Sequence, residues 1–257
     1  MQDTDPGSSQ DKINAQAERR FNDQLAQSYF SIWDNYPIQR YTHSIEASWM
    51  TKLVRAGDRV LLAGSGGGRE IDGILNTASR IVAMDISPEM LRVGKERFSH
   101  GSIEWRLGDI QAPPEDLGVF EHVFALGGVY AYLPEPERAT QALFRHLVPG
   151  GSFTICVMNG AHPTERTETK LMPDGRLRRA FVVEDLKDLL QSAGFEIDDC
   201  RGLRFFVDLL PPDWNRAGSS GRNYGLMERS LELEEALLEH LPAEKGKFIW
   251  ITGRKPA

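Results

Sequence analysis

The stretch Arg59 to Ile71, RVLLAGSGGGREI, constrains the fold of this chain more than any other. An apolar run, Val60-Leu61-Leu62-Ala63, stops at Gly64-Ser65-Gly66-Gly67-Gly68, and a charged segment begins at Arg69. The pattern predicts a buried strand, a glycine turn and a helix N-terminus. Glycine reaches backbone angles that strain other residues, and its missing Cβ lets a ligand lie against the main chain. The start of a helix adds unpaired N–H groups that favour a phosphate or carboxylate. A second apolar run, RIVAMD, ends at Asp85. An acid at the tip of the next parallel strand is placed to hold a nucleoside ribose. Ser87 is the better helix cap, which leaves Asp85 for that role. The chain is therefore expected to bind a nucleoside-containing cofactor.

Two cofactor classes fit a glycine loop followed by a strand-end acid. A dinucleotide site needs G-x-G-x-x-G/A, whose third glycine lets helix and strand pack closely. Counting from Gly64 puts Arg69 in the third place, and counting from Gly66 puts Ile71 there, so NAD is disfavoured. What remains, Gly64-x-Gly66-x-Gly68, resembles motif I of the class I S-adenosylmethionine-dependent methyltransferases. Further segments follow in that family's order, from Tyr29 to Pro256. VAMDISPEMLRVGKERF (Val82 to Phe98) resembles its second strand and next helix, and IEWRLGDIQAPP (Ile103 to Pro114) its third strand and loop. HVFALGGVYAYLPEPERATQALFRHLVPGGSFTICV (His122 to Val157) is similar to the fourth strand, helix, Pro-Gly-Gly turn and fifth strand. Val183 to Ile197 and Phe248 to Pro256 resemble the last helix and the antiparallel end of the sheet.

The resemblance implies an α/β, Rossmann-like, doubly wound sheet of seven mostly parallel strands with an antiparallel last strand. It implies S-adenosyl-L-methionine as cofactor and no metal. Gly64, Ser65, Gly66 and Gly68 would form the loop, and Asp85 would hold the ribose with Ile86 and Met90 beside it. Asp109 would accept from the adenine amino group, with Ile110 covering the ring. One position departs from the pattern. The acid common two places before the first glycine is Leu62 here. Arg69, Tyr29, Arg40 and the main chain at Leu126 and Gly127 are then the candidates to hold the methionine end. Leu62 also motivates a second reading, a cofactor-binding protein that does not methylate; a cyclase on the same fold is a third.

At 257 residues, with 40% hydrophobic and 26% charged, the chain suits one soluble domain. A net charge of −7 argues against a nucleic-acid surface. No apolar run approaches the length of a membrane span, roughly eighteen residues. The polar start MQDTDPGSSQDK does not read as a signal peptide, so a cytoplasmic protein is expected. Residues 1–12 read as a disordered lead-in and 13–257 as a single domain. Within it, 13–55 form a helical cap rich in aromatics and broken at Pro37. Two insertions, 159–180 and 204–246, are expected to enclose a substrate. Pro173-Asp174-Gly175 predicts a hairpin turn in the first. Gly218-Ser219-Ser220-Gly221 punctuates the second. Arg176, Arg178 and Arg179 form either a solvated face or an attraction for an acidic acceptor.

The aromatic cap suggests a small, hydrophobic or aromatic acceptor. Tyr130 or Tyr132 is expected to touch it, with Tyr130 the catalytic candidate. His162 and His43 are the candidate general bases. A hydroxyl acceptor benefits from a base, whereas an amine or activated carbon needs chiefly in-line positioning.

Overall fold

The computed structural model describes residues 9–165, 169–216 and 221–257. Its frame is a seven-stranded sheet formed by β1 (Arg59–Ala63), β2 (Arg80–Asp85), β3 (Ile103–Leu107), β4 (Phe120–Ala125), β5 (Leu147–Met158), β8 (Glu196–Leu203) and β9 (Phe248–Arg254). Strand order is β3-β2-β1-β4-β5-β9-β8. β9 runs antiparallel to both its neighbours, β5 and β8, while the β1, β2, β3, β4 and β5 pairings are parallel. The expected sheet is the observed one. Two further strands, β6 (Lys170–Leu171) and β7 (Leu177–Arg178), make a separate hairpin. Its turn holds Pro173-Asp174-Gly175, as expected.

Continuous apolar runs mark strands buried on both faces, and alternation decides which core each residue joins. Leu61, Ala63, Val82, Met84, Val123 and Ala125 pack on one face, beneath α5 (Pro136–Arg145) and α6 (Val183–Ser192). Val60, Leu62, Ile81, Ala83, Phe124 and Trp250 pack on the other, beneath α3 (Pro37–Leu53) and α7 (Arg222–Leu237). Leu62 is thus a core residue, 2% exposed.

The remaining helices are α1 (Ser9–Leu25), α2 (Tyr29–Asn35) and α4 (Pro88–Arg97). Tyr36 is extended, ψ 127°, as expected before a proline, and Pro37 opens α3. α1 begins at Ser9, inside the stretch read as a lead-in; residues 1–8 of that stretch lie outside the described residues, as do Gly218, Ser219 and Ser220. The helix expected after the glycine loop is a single 3-10 turn, Arg69–Gly73. α3 occupies that face instead: a Cβ on Gly73 would lie 3.0 Å from the Ala47 Cβ.

At the end of β5, Asn159 ties the first insertion to the strand return. Its Nδ2 donates to the carbonyls of Glu244 (3.0 Å) and Gly246 (2.8 Å), and its Oδ1 accepts from Ala161 N (3.0 Å). Asn159 is 1% exposed, so Asn159→Ala removes the partner of three backbone groups, that of Gly246 being buried. A loss of about 1–3 kcal/mol in unfolding free energy is expected, read by urea denaturation; an unchanged midpoint would refute the assignment.

Candidate active site

A cleft runs along the carboxyl ends of β1, β2 and β4 and divides into two connected compartments. The first encloses about 520 Å³ of space open to solvent, walled by Asp85, Ile86, Asp109, Ile110, Gln111 and residues of α1. The second, about 660 Å³, is walled by Tyr29, Trp33, Gly66, Arg69, Glu70, Met90, Leu126 and Gly127. Glu18, Asn22, Gly64, Asp85, Val129 and Tyr132 line both.

The loop geometry follows from its glycines. Gly64, Gly66 and Gly68 have φ of 77°, 52° and 78°, a region that strains residues with a side chain. Close approach at Gly66 is made by the protein itself: a Cβ there would lie 2.9 Å from Tyr29 Oη. Tyr29, 8% exposed, stands over the loop and forms a wall of the second compartment. Gly64 and Gly66 line the cleft; Ser65 and Gly68 do not. Ser65 turns inward with its N–H on the Met84 carbonyl (2.9 Å), and Gly68 packs beneath Trp105 and Ile71.

Asp85 is held rigidly at the tip of β2. Its Oδ2 accepts from Gly66 N (2.7 Å) and its Oδ1 from Ser87 N (2.9 Å). Burial raises its pKa, opposed by these N–H donors. Ser87 caps α4 by accepting from Met90 N (3.1 Å) and donates to Asp23 Oδ1 (2.6 Å), which anchors α1. Asp109 closes a local turn by accepting from Gln111 N (2.9 Å).

Beneath the second compartment lies a buried charge cluster. Arg69, 3% exposed, donates from Nη1 to Glu46 Oε2 at 2.6 Å, with Glu46 1% exposed. Its Nη2 lies 3.1 Å from Glu70 Oε1, and its guanidinium carbon sits 3.8 Å from the Trp33 ring centroid. Burial opposes the charge on Arg69, yet Glu46 and Glu70 hold it protonated; burial also raises the Glu70 carboxyl. Arg69 Nη2 and Glu70 Oε2 are buried without hydrogen-bond partners. A cationic nitrogen and a carboxylate oxygen side by side, each without a hydrogen-bond partner, complement an amino-acid zwitterion. Glu70 places a carboxylate on this wall although Leu62, in the core, does not. Glycine cradle, strand-end carboxylate and zwitterion-matched pair together fit S-adenosylmethionine.

Several expected residues stand elsewhere. Arg40 is exposed and bonds Tyr224 Oη (2.9 Å), turned away because its helix face is opposite the cleft. Tyr130 is fully buried, its hydroxyl 3.1 Å from Thr140 Oγ1 and its ring against Phe153. His162, 2% exposed, has both ring nitrogens engaged, with Thr164 Oγ1 (2.9 Å) and the Phe205 carbonyl (3.2 Å). It pins a loop and lines neither compartment. His43 lies under the cleft floor with Nδ1 3.5 Å from Arg69 Nη1; burial and that cation lower its pKa. The described residues of the second insertion line neither compartment either: Met227 and Leu231 of α7 join the core under α3, and Asn215 accepts from Ile38 N (3.0 Å). The three hairpin arginines are all engaged. Arg176 lies 3.4 Å over Phe21 and 4.8 Å over Tyr132, Arg178 pairs with Glu165, and Arg179 donates to the Pro134 carbonyl (2.9 Å). Glu18, Asn22, Glu70 and Val129 join the site without having been expected, since nothing in the spacing of α1 distinguishes a roof from a solvated face.

Residues 60–151 match the family model of a methyltransferase domain. A ubiquinone biosynthesis O-methyltransferase of Xanthomonas euvesicatoria is 25% identical over 210 residues, 74% of this chain and 84% of that protein. Residues 60–151 thus carry a methyltransferase domain, and the chain is similar to methyltransferases over most of its length. A demethylmenaquinone methyltransferase of Tropheryma whipplei is 27% identical over 187 residues, 70% of this chain and 72% of the relative. The same fold occurs in Burkholderia thailandensis 1,6-didemethyltoxoflavin-N1-methyltransferase, solved with 1,6-didemethyltoxoflavin and S-adenosylhomocysteine bound. It has a TM-score of 0.62 at 18% identity and covers 99% of this chain and 94% of its own. The cofactor of this methyltransferase is S-adenosyl-L-methionine, and its activity is methyl transfer to a small molecule rather than cofactor retention alone.

Removing one partner of the buried cluster exposes its energetics. Glu46→Ala leaves Arg69 charged and short of its strongest contact. A loss of about 3–5 kcal/mol is expected in chemical denaturation, and a loss below about 1 kcal/mol, the range of exposed pairs, would show the cluster to be solvated.

Proposed function

We propose that the methyl acceptor is a small, largely apolar aromatic molecule, received in the second compartment and methylated by direct displacement. The observation that carries this reading is the wall of that compartment. Leu25, Tyr29, Trp33, Leu126, Val129 and Tyr132 supply its apolar surface, and α1 roofs it. A flat aromatic acceptor would bury its faces against these rings and exclude water from the reacting centre. The names of the two relatives support it, since both belong to ubiquinone or menaquinone chemistry. A nucleic-acid acceptor is disfavoured by the net charge of −7. Among the described residues no helix is long and apolar enough to cross a membrane, which accords with action in the cytoplasm on a small molecule.

We assign the residues accordingly. Asp85 would accept from the ribose hydroxyls, Asp109 and Ile110 would meet the adenine, and Ile86 and Met90 would flank the nucleoside. Arg69 Nη2 and Glu70 Oε2 would receive the carboxylate and ammonium, beside the Leu126–Gly127 main chain. The bound cofactor supplies a methyl group on a sulfonium, open to attack by a lone pair. Tyr132, not Tyr130, is the aromatic placed to touch the acceptor. α1 and the hairpin would act as the enclosure, joined through Arg176, which bridges Phe21 and Tyr132.

Calorimetry is expected to show saturable binding of S-adenosylmethionine and S-adenosylhomocysteine and none of NAD. Asp85→Ala should weaken cofactor binding by about 1–3 kcal/mol; undiminished affinity would remove Asp85 from the ribose site. A methyl-incorporation screen over aromatic and aliphatic metabolites tests the acceptor, and transfer confined to aliphatic or nucleic-acid acceptors would overturn the reading. His43→Ala and His162→Ala should each change kcat by less than about threefold, well below the range of acid–base catalysis. His162→Ala should nonetheless lower the melting temperature, because it frees the loop pinned to Phe205.

A further inference from the structure

With the histidines out of the cleft, the group that receives an acceptor's proton is unassigned. Among the described residues four carboxylates line the two compartments: Glu18, Glu70, Asp85 and Asp109. Both oxygens of Asp85 accept main-chain N–H groups. Asp109 is tied into its own turn and lines only the first compartment. Glu70 lies against Arg69 and lines only the second. Glu18 alone of the four both lines the two compartments, as Asp85 does, and keeps an unpartnered oxygen, as Glu70 does, where nucleoside and acceptor would meet. Its Oε1 accepts from Asn22 Nδ2 at 3.0 Å, which orients the carboxylate. Its Oε2 is buried with no hydrogen-bond partner. The nearest cation, Arg176 Nη1, is 3.6 Å away, an ion pair too long for a hydrogen bond.

The geometry points to Glu18 Oε2 as the base that takes the proton from a hydroxylated aromatic acceptor. This inference rests on the aromatic-acceptor reading above. In the step it implies, the acceptor O–H bond breaks and its proton passes to Glu18 Oε2. The oxygen lone pair forms the new O–CH₃ bond as the C–S bond breaks, and that bond's electrons stay on sulfur, which becomes a neutral thioether. Glu18 returns its proton to solvent once the product leaves.

The charges facing Glu18 suit such a base. Burial raises its carboxyl above the ordinary range, Arg176 of the hairpin pulls it down, and Asp85 of β2 pushes it up. Tyr132, across the cleft, is itself raised by burial and stays neutral. A carboxylate moved toward neutral pH is a better match to a phenolic proton than one near its unperturbed value. Placement on α1 also means that the base arrives with the roof, so deprotonation is confined to the closed site.

The decisive measurement needs no turnover. On protein saturated with S-adenosylhomocysteine, 1-naphthol is expected to bind about fivefold more tightly than 1-methoxynaphthalene, the equivalent of one net hydrogen bond. Glu18→Ala should erase that preference while S-adenosylhomocysteine affinity stays within about threefold, less than that same hydrogen-bond equivalent. With a hydroxylated acceptor methylated by the wild type, Glu18→Gln should lower kcat by about 10²–10⁴-fold. The wild-type rate should fall as pH drops and Glu18 takes up a proton, and the variant should lack that acidic limb. Equal binding of naphthol and its ether would overturn the inference. So would a loss of S-adenosylhomocysteine affinity in Glu18→Ala matching the loss for naphthol, which would make Glu18 a ribose ligand. If neither aromatic binds while an aliphatic acceptor is methylated, the aromatic-acceptor reading itself fails, and this inference with it.

Discussion

The active end of this methyltransferase is organised around one buried cation. Arg69 leaves the glycine loop and is held by Glu46 from α3, by Glu70 beside it and by the Trp33 ring from α2. Segments distant in sequence are thereby locked to the same guanidinium. A charge so deeply buried is tolerable only when its partners are equally buried and fixed. That requirement sets the position of α3, which in turn takes the face where a longer helix after the glycine loop would have packed. The same cluster places the Glu70 carboxylate on the cleft wall, while Leu62 is packed in the core.

A second constraint is the roof. The sheet and its loops provide only a floor and two walls; α1 closes the cleft from above. It is attached on one side through Asp23 to Ser87, the cap of α4, and on the other through Phe21 and Glu18 to Arg176. Both attachments are polar or cation–π contacts rather than a broad apolar interface. Such contacts hold an element in place yet break at modest cost, which suits a segment that must move aside for cofactor and acceptor to exchange. The hairpin is joined to α1 through Arg176, which lies over Phe21 and Tyr132 and pairs with Glu18.

The cleft floor was largely legible in the residues. Gly64, Gly66, Asp85, Ile86, Met90, Asp109, Ile110, Leu126 and Gly127 all line it, because each lies at or just past a strand end, where chain order and sheet topology leave little freedom. Side-chain direction within short irregular turns was not legible. Tyr130 and Tyr132 share one 3-10 turn, Val129–Tyr132. With about three residues per turn, positions two apart diverge widely, so one ring enters the core and the other faces the cleft. Spacing alone does not say which. His162 shows the same limit, since its partners, Thr164 and Phe205, are set by how a loop folds back on a strand it precedes by some forty residues.

By itself, then, the sequence determined the mostly parallel sheet with its antiparallel last strand and the residues that line the cleft floor. Apolar runs, glycine turns and strand-end acids are local, and a parallel sheet brings their ends to one edge by necessity. Tertiary structure alone decided which helix became the roof, which insertion stayed away from the cleft and which of its carboxylates kept an unpartnered oxygen. Those outcomes depend on contacts between segments far apart in the chain: Glu46 with Arg69, Asp23 with Ser87, Phe21 with Arg176, Asn215 with Ile38. An amphipathic helix advertises that it has an apolar face, but the surface that face will cover is fixed only when the rest of the chain has packed.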